Sequence, residues 1–150
     1  MSAFWNTSVI VIDANICLTL VLPLPYSPQV EVKMHNWEKE CLRIGVPALW
    51  EYEMVSGLRR ACVHNILNQE SARKALPLLL GLNLEVVPAR PERHLRALEW
   101  AERLGHARAS DAQYLVLAHE LDAVLWTGDQ RLADWTSQMD ITWVRWIGED

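Results

Sequence analysis

The sequence predicts an α/β fold, a single domain over residues 1–150 with a mostly parallel central sheet flanked by helices. Short apolar runs rich in β-branched residues alternate along the chain with longer segments of helical character. Strands that alternate with helices form β-α-β units, which arrange the strands in parallel and cover both faces of the sheet. A length of 150 residues, 51% of them apolar, suits one domain with a sizeable core.

Two strand-like runs and four helices are predicted in the first half of the chain. The run VIVI forms a strand within residues 8–12, and the helix ANICLTLVL after it ends at Pro23, because proline cannot continue a helix. A Pro-rich stretch, LPLPYSP, connects this helix to the next one. The other predicted elements are a helix over about 29–43, the short buried run GVPAL, and helices over about 50–65 and 69–80.

The second half of the chain repeats the alternation. The run LNLEVVP is a strand candidate that Pro88 ends, and helices are predicted over about 91–104 and 110–121. A buried strand AVLWT follows, then a short helix that begins in DQRLADW, and the β-branched and aromatic run ITWVRWI closes the sheet.

The overall charge predicts no broad electrostatic attraction for nucleic acid. The formal net charge is −5, which counts modestly against a nuclease, although a cluster of metal-binding carboxylates would itself make the total negative. The tryptophans are predicted to be core or subunit contacts, since large apolar rings are mostly buried. There are eight of them: Trp5, Trp37, Trp50, Trp100, Trp126, Trp135, Trp143 and Trp146.

The cysteines and the amino terminus predict a cytoplasmic protein. Cys17, Cys41 and Cys62 include no C-x-x-C pair, and we expect buried free thiols in a reducing cytosol. The histidines lack the spacing of a zinc site. Residues 1–8 carry no Lys or Arg, so no secretory signal is expected, and no apolar run reaches the ~18 residues of a membrane span.

Two aspartates follow predicted strands directly. Asp13 comes after VIVI, and Asp129 lies just past the strand AVLW in LWTGDQRLAD. Sites in open parallel sheets form at the carboxyl ends of the strands, where the loops of neighbouring units meet. The two carboxylates are therefore expected at the same edge of the sheet.

Two further acids are candidates on helices. Asp111 begins the helix ASDAQYLVLAHEL, where it either caps the helix or, if Ser110 caps it, is free for another task. Glu51 and Glu53 lie in VPALWEYEMVSGLRR, and ~200° of helical rotation separates them, so both cannot face one point. Periodicity alone does not choose between them.

The order of these segments resembles that of PIN domains, in particular the VapC-type toxin ribonucleases of bacterial and archaeal toxin–antitoxin pairs. The resemblance rests on VIDAN, VPALWEYEMVSGLRR, SDAQYLVLAHEL and LWTGDQRLAD, which cover nearly the whole chain. It implies a PIN-like α/β/α fold whose acidic residues are Asp13, Asp111 and Asp129. In such proteins a glutamate follows a proline by six positions and precedes an apolar residue, and Pro47 selects Glu53 by that rule.

The resemblance also implies supporting groups and a chemistry. Asn15 and Thr127 occupy positions where such proteins carry polar residues that orient the acids; the alternatives are a helix cap for Asn15 and a turn hydroxyl for Thr127. Close carboxylates repel one another, at about 4 kcal/mol per pair for 4 Å and an effective dielectric near 20, and they attract hard cations such as Mg²⁺ or Mn²⁺. The implied activity is metal-dependent hydrolysis of RNA phosphodiesters, with the acids as metal ligands.

The resemblance implies partners as well: an RNA substrate, a cognate antitoxin that blocks the acidic pocket, and a second copy of the chain in a homodimer. Two alternatives stay open within the family, a PIN nuclease of RNA processing and a catalytically silent PIN-like RNA-binding module. A haloacid-dehalogenase or receiver-type phosphoacceptor also carries an Asp at a strand end. Such sites use a late lysine, whereas here no lysine follows Lys74.

Overall fold

A five-stranded sheet organises the computed structural model, which describes residues 8–105 and 108–149. The strands are β1 (Val9–Ile12), β2 (Arg43–Pro47), β3 (Glu85–Val87), β4 (Val124–Thr127) and β5 (Val144–Trp146). Their order across the sheet is β3-β2-β1-β4-β5, and each of the four pairings is parallel. The predicted α/β class with a parallel sheet is confirmed, and β1 lies at its centre.

Seven helices in the described part of the chain connect and cover these strands. They are α1 (Ala14–Leu18), α2 (Ser27–Lys39), α3 (Leu49–Val63), α4 (Gln69–Leu80), α5 (Pro91–Leu104), α6 (Ala109–Glu120) and α7 (Gln130–Gln138). The predicted bounds of α4 and α5 are matched residue for residue. Those of α3 and α6 differ from the prediction by one or two residues.

The first two helices end earlier than predicted. The predicted helix 14–22 stops at Leu18, where the Thr19 hydroxyl donates a 2.6 Å bond to the carbonyl of Ile16 and the chain enters turns. The predicted helix 29–43 begins at Ser27 and ends at Lys39, because Cys41 takes a left-handed conformation (φ 57°) that breaks it. Arg43 then begins β2, so the predicted buried run at 45–49 is the second half of a longer strand and the start of α3.

The core lies on both faces of the sheet and contains the largest buried side chains. Val11 and Ile12 of β1 are fully buried, as expected for a central parallel strand. Trp37 and Trp50 are buried in the core, while the other described tryptophans are half-buried, and Trp5 lies outside the described residues.

The prediction of buried cysteines is only partly right. Cys17 is buried, Cys62 is half-buried and Cys41 is exposed, because the left-handed turn that ends α2 holds it at the surface. All three thiols are free. Within residues 8–105 and 108–149, no helix combines the length and apolarity that crossing a bilayer demands. Most of the amino-terminal stretch considered for a signal lies outside those ranges.

Candidate active site

Four acidic side chains line one cavity at the carboxyl edge of the sheet. Asp13 follows β1, Glu53 lies on α3, Asp111 on the first turn of α6, and Asp129 immediately before α7. The cavity has a volume of about 130 Å³ and contains all four of these residues in its wall. Acids that are up to 116 positions apart in sequence therefore share one small space.

Asp13 is the most deeply placed of the four acids. Its backbone N–H donates a 2.9 Å bond to the carbonyl of Trp126, so the pairing of β1 with β4 continues into the site. Its side chain is 6% exposed and accepts bonds from the N–H of Ala14 at 2.8 Å and the hydroxyl of Thr127 at 2.9 Å. Burial raises the pKa of Asp13 to about 7, although these hydrogen bonds oppose the shift, and the charges of Asp111 and Glu53 raise it further.

Thr127 and Asn15 join the two strand-end aspartates. The Thr127 hydroxyl donates to Asp13 and accepts from the N–H of Asp129 at 3.0 Å. The Asn15 side-chain oxygen accepts from the N–H of Gly128 at 2.9 Å, and its amide nitrogen lies 3.4 Å from Asp13 Oδ2. Asn15 does not cap α1, since Asp13 is the residue at that cap. Thr127 and Asn15 thus each contact Asp13 and the backbone next to or at Asp129.

Asp129 has a structural task besides its place in the cavity wall. One carboxylate oxygen, Oδ1, accepts from the N–H groups of Arg131 at 3.0 Å and Leu132 at 3.4 Å, which caps α7. The cap orients the side chain, because an N-cap carboxylate must point along the first turn of its helix. The second oxygen, Oδ2, takes no part in this cap.

Glu53 points into the cavity, and Glu51 on the same helix is exposed to solvent. The hydroxyl of Tyr114, a side chain that is 1% exposed, donates a 2.6 Å bond to Glu53 Oε1. Burial raises the pKa of Glu53, and the charge of Asp111 adds to the rise, whereas the Tyr114 bond opposes it. Sequence reasoning missed Tyr114, although its spacing of three from Asp111 places both on one face of α6.

Neither Asp111 nor Ser110 occupies the cap position of α6. Arg108 is the residue at the cap of α6, and its own side chain makes no capping hydrogen bond. The Asp111 side chain instead lines the cavity. Burial raises the pKa of Asp111. The nearby charge of Arg108 lowers this pKa, and the charge of Asp129 raises it. A backbone hydrogen bond from Arg108 also lowers the pKa of Asp111, which lies in the first turn.

Close packing of α1 against α3 brings Glu53 toward Asp13. Gly57 lies one helical turn beyond Glu53, and a methyl group added there would lie 2.6 Å from Leu18 Cδ1. The missing side chain thus permits the close approach of the two helices. Among the residues that the structure describes, two cationic side chains line the cavity: Arg60, a turn further along α3, and Arg108.

The donor set fits a hard divalent cation. Burial raises the pKa values of Asp13, Glu53 and Asp111, so a bound cation would offset negative charge that the fold otherwise disfavours. Among residues 8–105 and 108–149, no three histidine, cysteine or acidic side chains are arranged to hold a metal ion by themselves. Mg²⁺ suits such a site, because it is commonly held by one or two carboxylates, with water and substrate phosphate as the other ligands.

A parallel α/β sheet with four acids in one pocket at its carboxyl edge defines the class of the PIN domains, as the motifs predicted. The chain belongs to the PIN domain family, whose model matches residues 10–136.

Two named proteins are similar to part of this chain. The chain is similar to proteins called Ribonuclease VapC1 from two strains of Mycobacterium tuberculosis, CDC 1551/Oshkosh and H37Rv. Each is 39% identical over 88 residues, which is 58% of this chain and 63% of the relative, so the chain spans less than two thirds of these relatives' length.

A solved structure shares the fold. It is VapBC2 from Rickettsia felis bound to a DNA fragment from its promoter, with a TM-score of 0.67 and 15% sequence identity. The match covers 92% of this chain and 98% of the other chain. At this identity the match supports the fold alone.

Proposed function

We propose that this protein is an endoribonuclease that hydrolyses RNA phosphodiester bonds with Mg²⁺ or Mn²⁺. The observation that carries the proposal is the meeting of Asp13, Glu53, Asp111 and Asp129 in one cavity of about 130 Å³. The similarity to proteins named Ribonuclease VapC1 supports the choice of RNA as substrate.

The four acids would hold the cation, and the polar residues around them would fix their directions. A bound divalent cation supplies charge neutralisation for the phosphodiester and lowers the pKa of a water molecule. Asp13 is oriented by Thr127 and Ala14, and Glu53 by Tyr114, so these two carboxylates need little rearrangement on binding. Asn15 and Thr127 are assigned as supporting residues on the same grounds.

The cationic residues of the wall would meet the substrate. A phosphodiester brings its own negative charge toward an acidic cavity, and Arg60 and Arg108 lie on that cavity's wall. Each guanidinium can donate paired hydrogen bonds to phosphate oxygens. These two arginines would therefore hold the backbone of the RNA while the acids hold the cation.

We propose further that the protein is the toxin of a toxin–antitoxin pair and acts in the cytoplasm as a homodimer. The similarity to proteins named Ribonuclease VapC1 supports this assignment, which adds a cognate antitoxin as a partner. Three free cysteines suit a reducing compartment. Co-expression with the product of the adjacent reading frame, followed by co-purification, tests for the antitoxin.

The nuclease activity is tested with purified protein, transfer RNA and ribosomal RNA in the presence of Mg²⁺ or Mn²⁺. Wild-type protein should cleave with products that carry a 5′-phosphate, and EDTA should stop the reaction. Asp13→Asn and Asp129→Asn should each lower the rate at least ~100-fold, while Glu51→Gln, the exposed neighbour of Glu53, should leave it within about twofold.

Folded wild-type protein that binds RNA without cleaving it under either metal would refute the nuclease proposal. That result would favour the catalytically silent module. Cleavage that survives in Asp13→Asn would instead place the chemistry outside this cavity.

A further inference from the structure

We infer that a second cavity, on the far side of the amino end of α6 from the acids, binds one unpaired base of the RNA strand. We call it the lateral cavity. It has a volume of about 320 Å³, and its lining includes Pro47, Leu49, Val87, His94, Ser110 and Gln113. The inference rests on the proposed ribonuclease function and names the part of the substrate that this neighbouring site would recognise.

The position of the lateral cavity connects it to the acidic one. Pro47 ends β2 and Val87 ends β3, so the cavity opens at the same carboxyl edge of the sheet as the four acids. Ser110 belongs to the walls of both cavities. Asp111 faces one side of α6 and Gln113 the other, since two residues turn a helix by ~200°.

The separation suits a strand of RNA that crosses α6. A helix with its side chains is about 10 Å wide, which is roughly three nucleotide steps of a stacked strand and fewer of an extended one. The crossing point is the amino end of α6, where Arg108 is the cap residue and its side chain makes no capping hydrogen bond. A phosphate is favoured at such an end by the helix dipole, so the backbone could pass there with a base on the far side.

The lining of the lateral cavity suits a base better than a phosphate. Its walls are mostly apolar, from Pro47, Ala48, Leu49, Val87 and Ala89. The one guanidinium in the wall, Arg93, is already engaged: it donates to Glu120 Oε2 at 2.8 Å and to the carbonyl of Pro88 at 2.7 Å. A phosphate would find little free positive charge here, whereas a flat base would find surfaces to pack against.

Two polar side chains give the lateral cavity a means to read a base edge. The Gln113 amide nitrogen lies 2.9 Å from Nδ1 of His94, which fixes both groups relative to each other. This bond uses one N–H of the Gln113 amide, and the amide has a second N–H and an oxygen to offer. The imidazole of His94 is exposed and offers a face for stacking, as aromatic side chains do for splayed bases.

Binding is tested by NMR on ¹⁵N-labelled protein carrying Asp13→Asn, so that RNA is not cut. The probes are an unpaired RNA tetranucleotide pool and the same length of ribose-phosphate chain without bases. We expect the Gln113 side-chain amide signal, identified by its loss in Gln113→Leu, to shift at least ~5-fold more with the bases present. Equal shifts with both probes would show that a phosphate occupies the cavity, and no shift with either would show that RNA does not enter it; both results overturn the inference.

Recognition is tested by cleavage of a random-sequence RNA pool with Mn²⁺, with sequencing of the product ends. Wild-type protein should prefer one nucleotide at a position within about three of the cut. Gln113→Leu should reduce that preference about fivefold, as expected for one lost hydrogen-bonded contact, while exposed Gln138→Leu should retain it. A preference that survives in Gln113→Leu overturns the inference. If the wild-type protein cuts no RNA, the proposed function fails and the NMR result alone decides on the lateral cavity.

Discussion

Asp13 shows why a carboxylate stands at the end of an otherwise buried strand. Its main chain continues the pairing of β1 with β4, and its side chain caps α1 through the N–H of Ala14. These structural contacts fix a carboxylate at 6% exposure in a wall it shares with three other acids. The ionised form of a group in this position is unfavourable without a cation, and burial accordingly raises the pKa of Asp13 to about 7.

This raised pKa predicts how stability depends on pH when metal is absent. The ordinary pKa of Asp13 is 3.8 and the folded one is about 7, so folding takes up a proton between these values. The contribution of Asp13 to the free energy of unfolding therefore falls as the pH rises from about 4 to about 7. Asp13→Asn cannot ionise, so in EDTA it should exceed wild type in stability at pH 8 by at most about 4 kcal/mol and match it near pH 4.

Urea unfolding at pH 4, 6 and 8 measures the difference, with Asp134→Asn, at an exposed position of α7, as the control. A gain in Asp13→Asn that is the same at pH 4 and pH 8 would mean that ionisation of Asp13 is not its cause.

The Tyr114–Glu53 hydrogen bond predicts a different effect, on cation affinity. Tyr114→Phe removes the 2.6 Å bond, which leaves Glu53 less fixed and raises its pKa, because the bond opposes the effect of burial. We expect the half-saturating Mg²⁺ concentration for cleavage to rise about 10-fold, as for other groups that orient a metal ligand, with a stability loss of about 1 kcal/mol. Tyr52→Phe, on the exposed face of α3, should change neither quantity. An unchanged Mg²⁺ dependence in Tyr114→Phe would show that Tyr114 does not orient Glu53 for cation binding.

At the scale of elements, the sequence was most informative where local signals and burial agree. Both α4 and α5 have the bounds that were predicted, and the structure shows local signals at their ends. Pro91 and Gly105 bracket α5, and the Asn68 side chain accepts from the N–H of Ser71 at the start of α4. The ends of α1 and α2 depend on a hydroxyl bond at Thr19 and a left-handed Cys41, neither of which a composition signal announces. The sequence pattern therefore predicted helices that extend beyond Leu18 and Lys39.

The meeting of α1 and α3 gives a prediction that only the packing reveals. Gly57→Ala gains about 1 kcal/mol of helix propensity but forces a methyl group to within 2.6 Å of Leu18 Cδ1, and overpacking costs about 1–3 kcal/mol. We expect a net loss of about 1 kcal/mol in urea unfolding. In a Leu18→Ala background the same change should instead stabilise by about 1 kcal/mol, because the clash is gone. A loss of equal size in both backgrounds would show that Gly57 has another role.

For the whole molecule, the site divides into a part that the sequence could predict and a part that it could not. Asp13 and Asp129 were predicted from their positions after strands, and Glu53 was selected by its spacing from Pro47. All four acids lie in one wall. Tyr114 and Gly57 contribute through contacts across 61 and 39 positions of sequence, with Glu53 and Leu18 respectively. Such pairs depend on how helices pack, which local patterns do not encode.

The charge distribution of the folded chain brings acidic and basic side chains together in one cavity wall. The chain has a net charge of −5, and four of its 19 acidic residues line one cavity together with Arg60 and Arg108. The ionised carboxylates repel one another, and binding of either protons or divalent cations reduces this repulsion. Protons and cations therefore compete for the same oxygens. Stability should therefore respond to Mg²⁺ in a manner that depends on pH.

This competition gives a measurement that does not require catalysis. At pH 8, Mg²⁺ at ten times its dissociation constant should stabilise the protein by about 1.4 kcal/mol, or raise the Tm by about 4 °C, relative to EDTA. At pH 5 the gain should largely disappear, because Asp13 has a pKa of about 7 and a proton then occupies its carboxylate in competition with Mg²⁺. Thermal unfolding with Mg²⁺ or EDTA at both pH values measures this, with Asp111→Asn as the variant that should lose the response and Asp134→Asn as the one that should keep it. An equal rise at pH 5 and pH 8, or in Asp111→Asn, would mean that Mg²⁺ acts through general screening of the surface and that the clustered acids do not bind it.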